Sequence, residues 1–134
     1  MPAAILDTNA VSDLMRDHPL LKAHMAAYPD PIVTSVVVVG EIRYGLSRLP
    51  GGKKRNDLEA RAPRILAAIR IEPVTEAIAE MYGRLKTSLE SQGLNVDDND
   101  LWIAATAKTV GDLVITRDQI FTRIPGLHAE DWSV

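Results

Sequence analysis

No cysteine occurs among the 134 residues, which excludes a disulfide framework, a zinc–thiolate centre and a thiol nucleophile, and leaves any metal to oxygen or histidine ligands. No apolar run approaches the ~20 residues that cross a bilayer. Met1 to Leu6 is too short and too uncharged for a signal peptide, so a soluble, cytoplasmic protein without a membrane partner is expected. Charge of one sign is not in large excess: 15 basic against 18 acidic residues give −3, which argues against a protein that merely coats nucleic acid. Aromatic residues make up only 4%. What is present is ordinary for a globular protein: 46% hydrophobic residues and 25% charged ones. At this length one domain over residues 1–134 is expected, with core enough to stand without staples.

The charges are unevenly spread. Arg48, Lys53, Lys54, Arg55, Arg61, Arg64 and Arg70 face only Asp57 and Glu59 in their segment, a local +5 that leaves −8 for the remainder of the chain. Cations that hold a phosphate backbone beside carboxylates that hold metal would produce this layout. A solvated loop and helix face would produce it too.

Four acids stand at the margins of apolar runs: Asp7 after AAIL, Glu41 after VVVVG, Asp100 before LWIAA and Asp118 after LVITR. An ionised carboxylate buried without a partner costs several kcal/mol, roughly, so each must find a cation or a cap, or all must share metal. Hard cations such as Mg²⁺ or Mn²⁺ take oxygen ligands, and four carboxylates balance two divalent ions. Without metal, like charges repel and some of these groups should titrate with raised pKa.

The chain alternates without repeats. Ala3 to Leu6 has the length of a buried parallel strand, and Asp7, Thr8 or Asn9 can start a helix running to about Arg16. Leu20 to Ala27 reads as a second helix that ends before Pro29 and Pro31, and Ile32 to Thr34 as a strand. Ser35 can cap the next element, where Val36, Val39, Ile42 and Leu46 recur at helical spacing. The β-branched run Val36 to Val39 argues for strand instead. A helix is preferred, because Val37, Glu41, Tyr44 and Ser47 or Arg48 then share a face apart from the core stripe. Pro50-Gly51-Gly52 breaks the chain; a helix from about Pro63 to Ile69, a strand Ile71 to Val74 and a helix Glu76 to Gln92 ended by Gly93 follow. Asp98 to Val110, ended by Gly111, is another helix, Leu113 to Thr116 a buried strand, and Leu127 to Trp132 a final edge strand.

Such alternation predicts a three-layer α/β/α sandwich with a mainly parallel central sheet. Functional groups of these sheets collect at the carboxyl ends of the strands. Asp7 and Asp118 both lie there, Asp100 lies in the first turn of a helix, and Glu41 joins them if its helix starts at the same edge.

An apolar strand ending in L-D-T-N, a V-x-x-x-E-I-R-Y-G helix, an N-D-L-W-I-A-A helix and V-I-T-R-D after a strand, in that order, resemble the PIN-domain nucleases. Within them the chain is most similar to the VapC-type ribonuclease toxins of bacterial toxin–antitoxin pairs, over residues 3 to about 132. The resemblance implies a metal-dependent endoribonuclease with Asp7, Glu41, Asp100 and Asp118 as the catalytic, metal-holding acids. It also implies that the hydroxyl of Thr8 orients a metal ligand or a water. It further implies a homodimer and a small VapB-like antitoxin whose tail covers the acids, with a basic side chain reaching them. Two ions roughly 4 Å apart would flank an in-line displacement. Leu14, Leu20, Leu21 and the 36–46 stretch are candidate interface positions. Single-stranded RNA loops are the usual targets of sequence-specific recognition, and Tyr44, one turn from Glu41, is the best-placed ring for stacking.

Plainer readings stand beside these. Asp7 could only cap its helix, as could Thr8 or Asn9. Asp97 or Asp98 is assigned the cap of the later helix, and Asp100 the metal. Thr116 could bond a ligand carboxylate or merely end its strand, and Arg117 could pair with a nearby acid. His18, His24 and His128 lack ligand spacing, and Gly51-Gly52 lacks the lysine and hydroxyl of a phosphate-binding loop. A PIN-like binding or scaffold module without catalysis is the alternative, although such a module has no reason to keep a repulsive cluster. A haloacid-type phosphatase would need D-x-D where the chain has D-T-N.

Overall fold

The computed structural model describes residues 2–134 of the chain. Five strands, β1 (Ala4–Leu6), β2 (Ile32–Ser35), β3 (Arg70–Glu72), β4 (Leu113–Ile115) and β5 (His128–Glu130), form one sheet in the order β3-β2-β1-β4-β5. Every pairing is parallel, as the alternating pattern predicts. Among the described residues six α-helices flank the sheet: α1 (Thr8–Met15), α2 (Pro19–Ala27), α3 (Val36–Arg48), α4 (Lys53–Ala67), α5 (Glu76–Ser91) and α6 (Asp98–Val110). Helix α6 packs on α5 and across β1 and β4, whereas α1 packs against α2, α3 and α4.

Strand β1 lies at the centre because it is apolar at every position; Ala4, Ile5 and Leu6 are wholly buried, as a strand covered on both faces must be. It is in register with β2 through Leu6 and Thr34 and with β4 through Leu6 and Ile115. The chain leaves β1 towards β2 and later returns to β4 on the other side, so β1 and β4 bracket a topological switch point. Ligand crevices open at the carboxyl end of such a pair.

The β-branched start of α3 is helical, capped by Ser35, whose hydroxyl accepts from the Val37 N–H at 3.0 Å. Burial of Val38, Ile42 and Leu46 against the core overrides local propensity. The core stripe therefore falls on Val38 rather than Val36, which is 43% exposed. Helix α4 corrects a second expectation, starting at Lys53 with Pro63 inside it. Apart from Asn56 and Asp57, residues 53–62 are good helix formers, and Pro63 and Glu59 are both exposed, so water can satisfy the Glu59 carbonyl that Pro63 leaves without a donor. Strand β3 ends at Glu72, short of the expected Val74, and a 3₁₀ helix (Gln119–Arg123) after β4 was not foreseen.

Two glycines stop helices for different reasons. Gly93 takes the left-handed conformation, φ 71°, the usual terminator. Gly111 is extended, φ 171°, and the left-handed turn falls on Asp112, φ 66°. Space is what Gly111 supplies: a Cβ there would lie 2.5 Å from both the backbone nitrogen and oxygen of Ala3. Gly111→Ala is therefore expected to cost about 1–3 kcal/mol through overpacking. Urea denaturation reads this directly, and an unchanged midpoint would mean that the α6–β4 corner yields freely.

Candidate active site

Asp7 follows the last residue of β1 and is 3% exposed. Its Oδ1 accepts from the Ala10 N–H at 2.9 Å, which caps α1, and its Oδ2 accepts from the Thr116 hydroxyl at 2.5 Å. Capping and membership of a cluster are thus the work of two different oxygens. Burial is the largest influence on the carboxyl and lifts its pKa to about 6, against the hydrogen bonds from Thr116 and Ala10 and with the charge of Asp118.

Thr116, just beyond β4, joins two of the acids. Its hydroxyl donates to Asp7 and accepts from the Asp118 N–H at 2.9 Å. Asp118 itself caps the 3₁₀ helix, its Oδ1 accepting from the Ile120 N–H at 3.0 Å. On the other flank the Thr8 hydroxyl donates to Glu41, tying α1 to α3. Asn9 is exposed.

Asp100 sits in the first turn of α6 and is half-buried. Desolvation raises its pKa to about 6, followed by the charges of Asp118, Asp97, Glu41 and Asp7. Four acids therefore act on one carboxylate: Asp7, Glu41 and Asp118 from other parts of the fold, and Asp97 from the start of its own helix. The expected cap of α6 needs correction: Asp97 holds the N-cap position without a side-chain cap. Asp98 points instead to α5, where it accepts from the Tyr82 hydroxyl at 2.7 Å and from Lys86 at 3.4 Å. The Tyr82 ring stacks on Trp102 with centroids 3.9 Å apart. This latch between α5 and α6 left no local signal, since its members are 16 residues apart on separate helices.

Arg117 does pair with an acid, Asp13 of α1 at 3.5 Å. Of the seven basic residues between Arg48 and Arg70, three are engaged: Arg55 with Glu59, Arg61 with Asp17 and Arg70 with Glu72. The interface positions divide as well, since Leu21 is 1% exposed and serves the core, whereas Leu20 is 49% exposed.

As the side chains lie, no three carboxylates or imidazoles among the described residues stand close enough to ligate one ion. The donors nonetheless suit a hard divalent cation: all are carboxylate oxygens, no thiolate competes, and the charge raising Asp100 is repulsion that a cation relieves.

The PIN domain family model matches residues 4–127, from β1 to the residue before β5. Ribonuclease VapC2 of Rickettsia felis is 30% identical over 133 residues, covering 96% of this chain and 97% of its own. Toxin FitB of Neisseria gonorrhoeae is 32% identical over 122 residues, covering 85% and 86%. Among solved structures, a chain of the crystal structure of VapBC2 from Rickettsia felis bound to a DNA fragment from their promoter superposes with a TM-score of 0.82 at 29% identity, covering 97% of this chain and 98% of that one. With a match that spans nearly every element of the parallel sheet and carries Asp7, Glu41, Asp100 and Asp118 within it, the chain belongs to the PIN-domain family.

Proposed function

We infer that the protein is a VapC-type endoribonuclease, the toxin of a toxin–antitoxin pair, which hydrolyses RNA phosphodiesters with Mg²⁺ or Mn²⁺ held by Asp7, Glu41, Asp100 and Asp118. The observation that carries this reading is the delivery of acids by separate elements to one edge of the sheet, where burial and then the charges of Asp118, Asp97, Glu41 and Asp7 strain the Asp100 carboxylate. A fold gains nothing from such strain unless cations relieve it. The names of the relatives support it: one is a ribonuclease VapC and another a toxin.

When bound, two such ions would supply Lewis-acid stabilisation to an in-line displacement at phosphorus. The protein's part is to hold the ligands. Thr116 fixes the rotamer of Asp7 and the backbone of Asp118, and Thr8 fixes Glu41. Asp100, with a pKa of about 6, gives up its proton near neutral pH, when an ion rewards the charged form.

The partner is a VapB-like antitoxin, in keeping with the VapBC assembly of the similar solved structure; a basic side chain reaching the acids would neutralise them as ions do. A homodimer is proposed, with exposed Leu20 and Val36 available to a second copy. No helix among the described residues is long and apolar enough to cross a membrane, and a toxin that cuts cellular RNA would act in the cytoplasm.

Cleavage of labelled, structured RNA by the purified chain freed of any partner tests the reading. Cutting is expected with Mg²⁺ or Mn²⁺, none with EDTA, and Asp100→Asn should lose it. A chain that binds the ions yet cuts none of several RNAs would remove the substrate assignment. One that neither cuts nor binds them would be a non-catalytic PIN-like module.

A further inference from the structure

A cleft of about 800 Å³ runs along α3 from Glu41, with Thr8, Glu41 and Asn99 at one end and Tyr44 and Arg48 farther along, Arg16 at the end of α1 among its lining. From Glu41 to Arg48 the helix advances about 10 Å, which reaches a neighbouring nucleotide rather than the reacting phosphate. Gly40 and Gly45, on the same wall, have nothing within 4 Å of where a Cβ would stand. The cleft wall is therefore unobstructed at these two positions near Tyr44.

Tyr44 stands apart from the other aromatic residues. Phe121 and Trp132 are buried at 0% and 4% exposure. Tyr82 and Trp102 stack on each other, and Tyr28 donates its hydroxyl to the Pro2 carbonyl. Tyr44 is 61% exposed, and its one ring partner among the described residues is the Arg48 guanidinium, 4.5 Å from the centroid. Neither Arg48 nor Arg16 pairs with a carboxylate among the described residues. A π face backed by an arginine, in an open groove with unpaired cations, has the chemistry of a single-strand nucleic-acid subsite.

We propose that Tyr44, held against Arg48, is the platform on which an unpaired base of the RNA substrate stacks beside the cleavage site. This rests on the ribonuclease reading and deepens it, because it assigns a specificity-determining residue to single-stranded positions. The cation–π contact pre-orients the ring, so stacking orders few new groups. Arg48 and Arg16 would meet the phosphates on either side of that base.

Tyr44→Ala, Tyr44→Phe and Arg48→Met are compared with wild type on a short single-stranded RNA carrying, one position at a time, a nucleotide without its base. Tyr44→Ala should raise KM about ten- to hundredfold with kcat little changed, while Tyr44→Phe stays within about threefold of wild type. One baseless position near the cut should weaken wild type and have no further effect on Tyr44→Ala, a coupling that a merely structural role would not produce. Unchanged KM in Tyr44→Ala, or a flat scan of baseless positions, overturns the platform. So does a Tyr44→Ala chain that cuts RNA normally but releases a bound protein partner, which would make the cleft a protein-docking groove. Failure of wild type to cut removes the ribonuclease reading instead; anisotropy with the same RNA then decides, Tyr44-dependent binding keeping the platform and absence of binding ending it.

Discussion

Asp7→Asn is expected to reduce RNA cleavage by at least about 10²–10³-fold while making the metal-free protein more stable at pH 8. The two effects have one origin. Burial holds the Asp7 carboxyl at a pKa of about 6 against an ordinary 3.8, so ionising it at pH 8 costs the folded state about 3 kcal/mol. Asparagine has the same shape and no charge. It caps a helix as well as aspartate, so the bond from the Ala10 N–H survives. Its amide nitrogen would face Thr116, whose hydroxyl must then turn and surrender a charge-assisted bond. Setting that loss against the relief of burial leaves a gain of about 1–2 kcal/mol, several degrees in Tm. The substitution separates the competing roles of Asp7, because a residue that only capped α1 would leave activity unchanged, whereas the gain in stability follows from burial in either role. Cleavage rates decide the role, and an active Asp7→Asn would sink the assignment; thermal melts on the same preparation test the burial argument, which a less stable Asp7→Asn would overturn.

The second large effect is on stability as a function of pH and metal. Asp7 and Asp100 both titrate near 6 in the folded protein, and near 4 once unfolded. Between those values the folded chain binds more protons than the unfolded one. Their contribution is therefore fully present below about pH 4, is lost as pH rises through 6, and is flat above. Asp7 accounts for most of it; Asp100 contributes less, because half of it meets solvent, which screens its neighbours. The wild-type curve minus that of an Asp7→Asn, Asp100→Asn double variant isolates these two groups from every other carboxylate. Mg²⁺ or Mn²⁺ should reverse the trend, since ions compete with protons for the same oxygens. At a hundredfold excess over its Kd an ion adds about 2.7 kcal/mol, and the difference curve should then rise with pH. Melts at pH 4.5, 6 and 7.5, with EDTA and with Mn²⁺, read it. A difference curve indifferent to the ion would leave the four acids without the cation they are proposed to hold.

Ser35 and Asp7 were legible as caps because a cap bonds the next turn of its own helix, two or three residues away. Asp100 was separable from Asp97 and Asp98 only through the family pattern, since all three share one helix start. Pro63 misled, because a proline reads as a helix start unless its neighbours' exposure is known. The stripe on α3 was displaced from Val36 to Val38 for a related reason: a run of valines offers several phases at helical spacing, and only the surface it packs against selects one.

By itself the sequence determined what depends on a few consecutive residues: the apolar strands, the turns that end them, the parallel layering, and the acids waiting at strand and helix ends. Tertiary structure alone decided which side chains meet. Thr8 reaches Glu41 across 33 residues and Thr116 reaches Asp7 across 109, and Arg117, in the turn after β4, finds Asp13 on α1. Those meetings follow from β1 lying between β2 and β4. Strand order is selected by the burial of the whole sheet, a free energy summed over the fold and written in no short stretch of the chain.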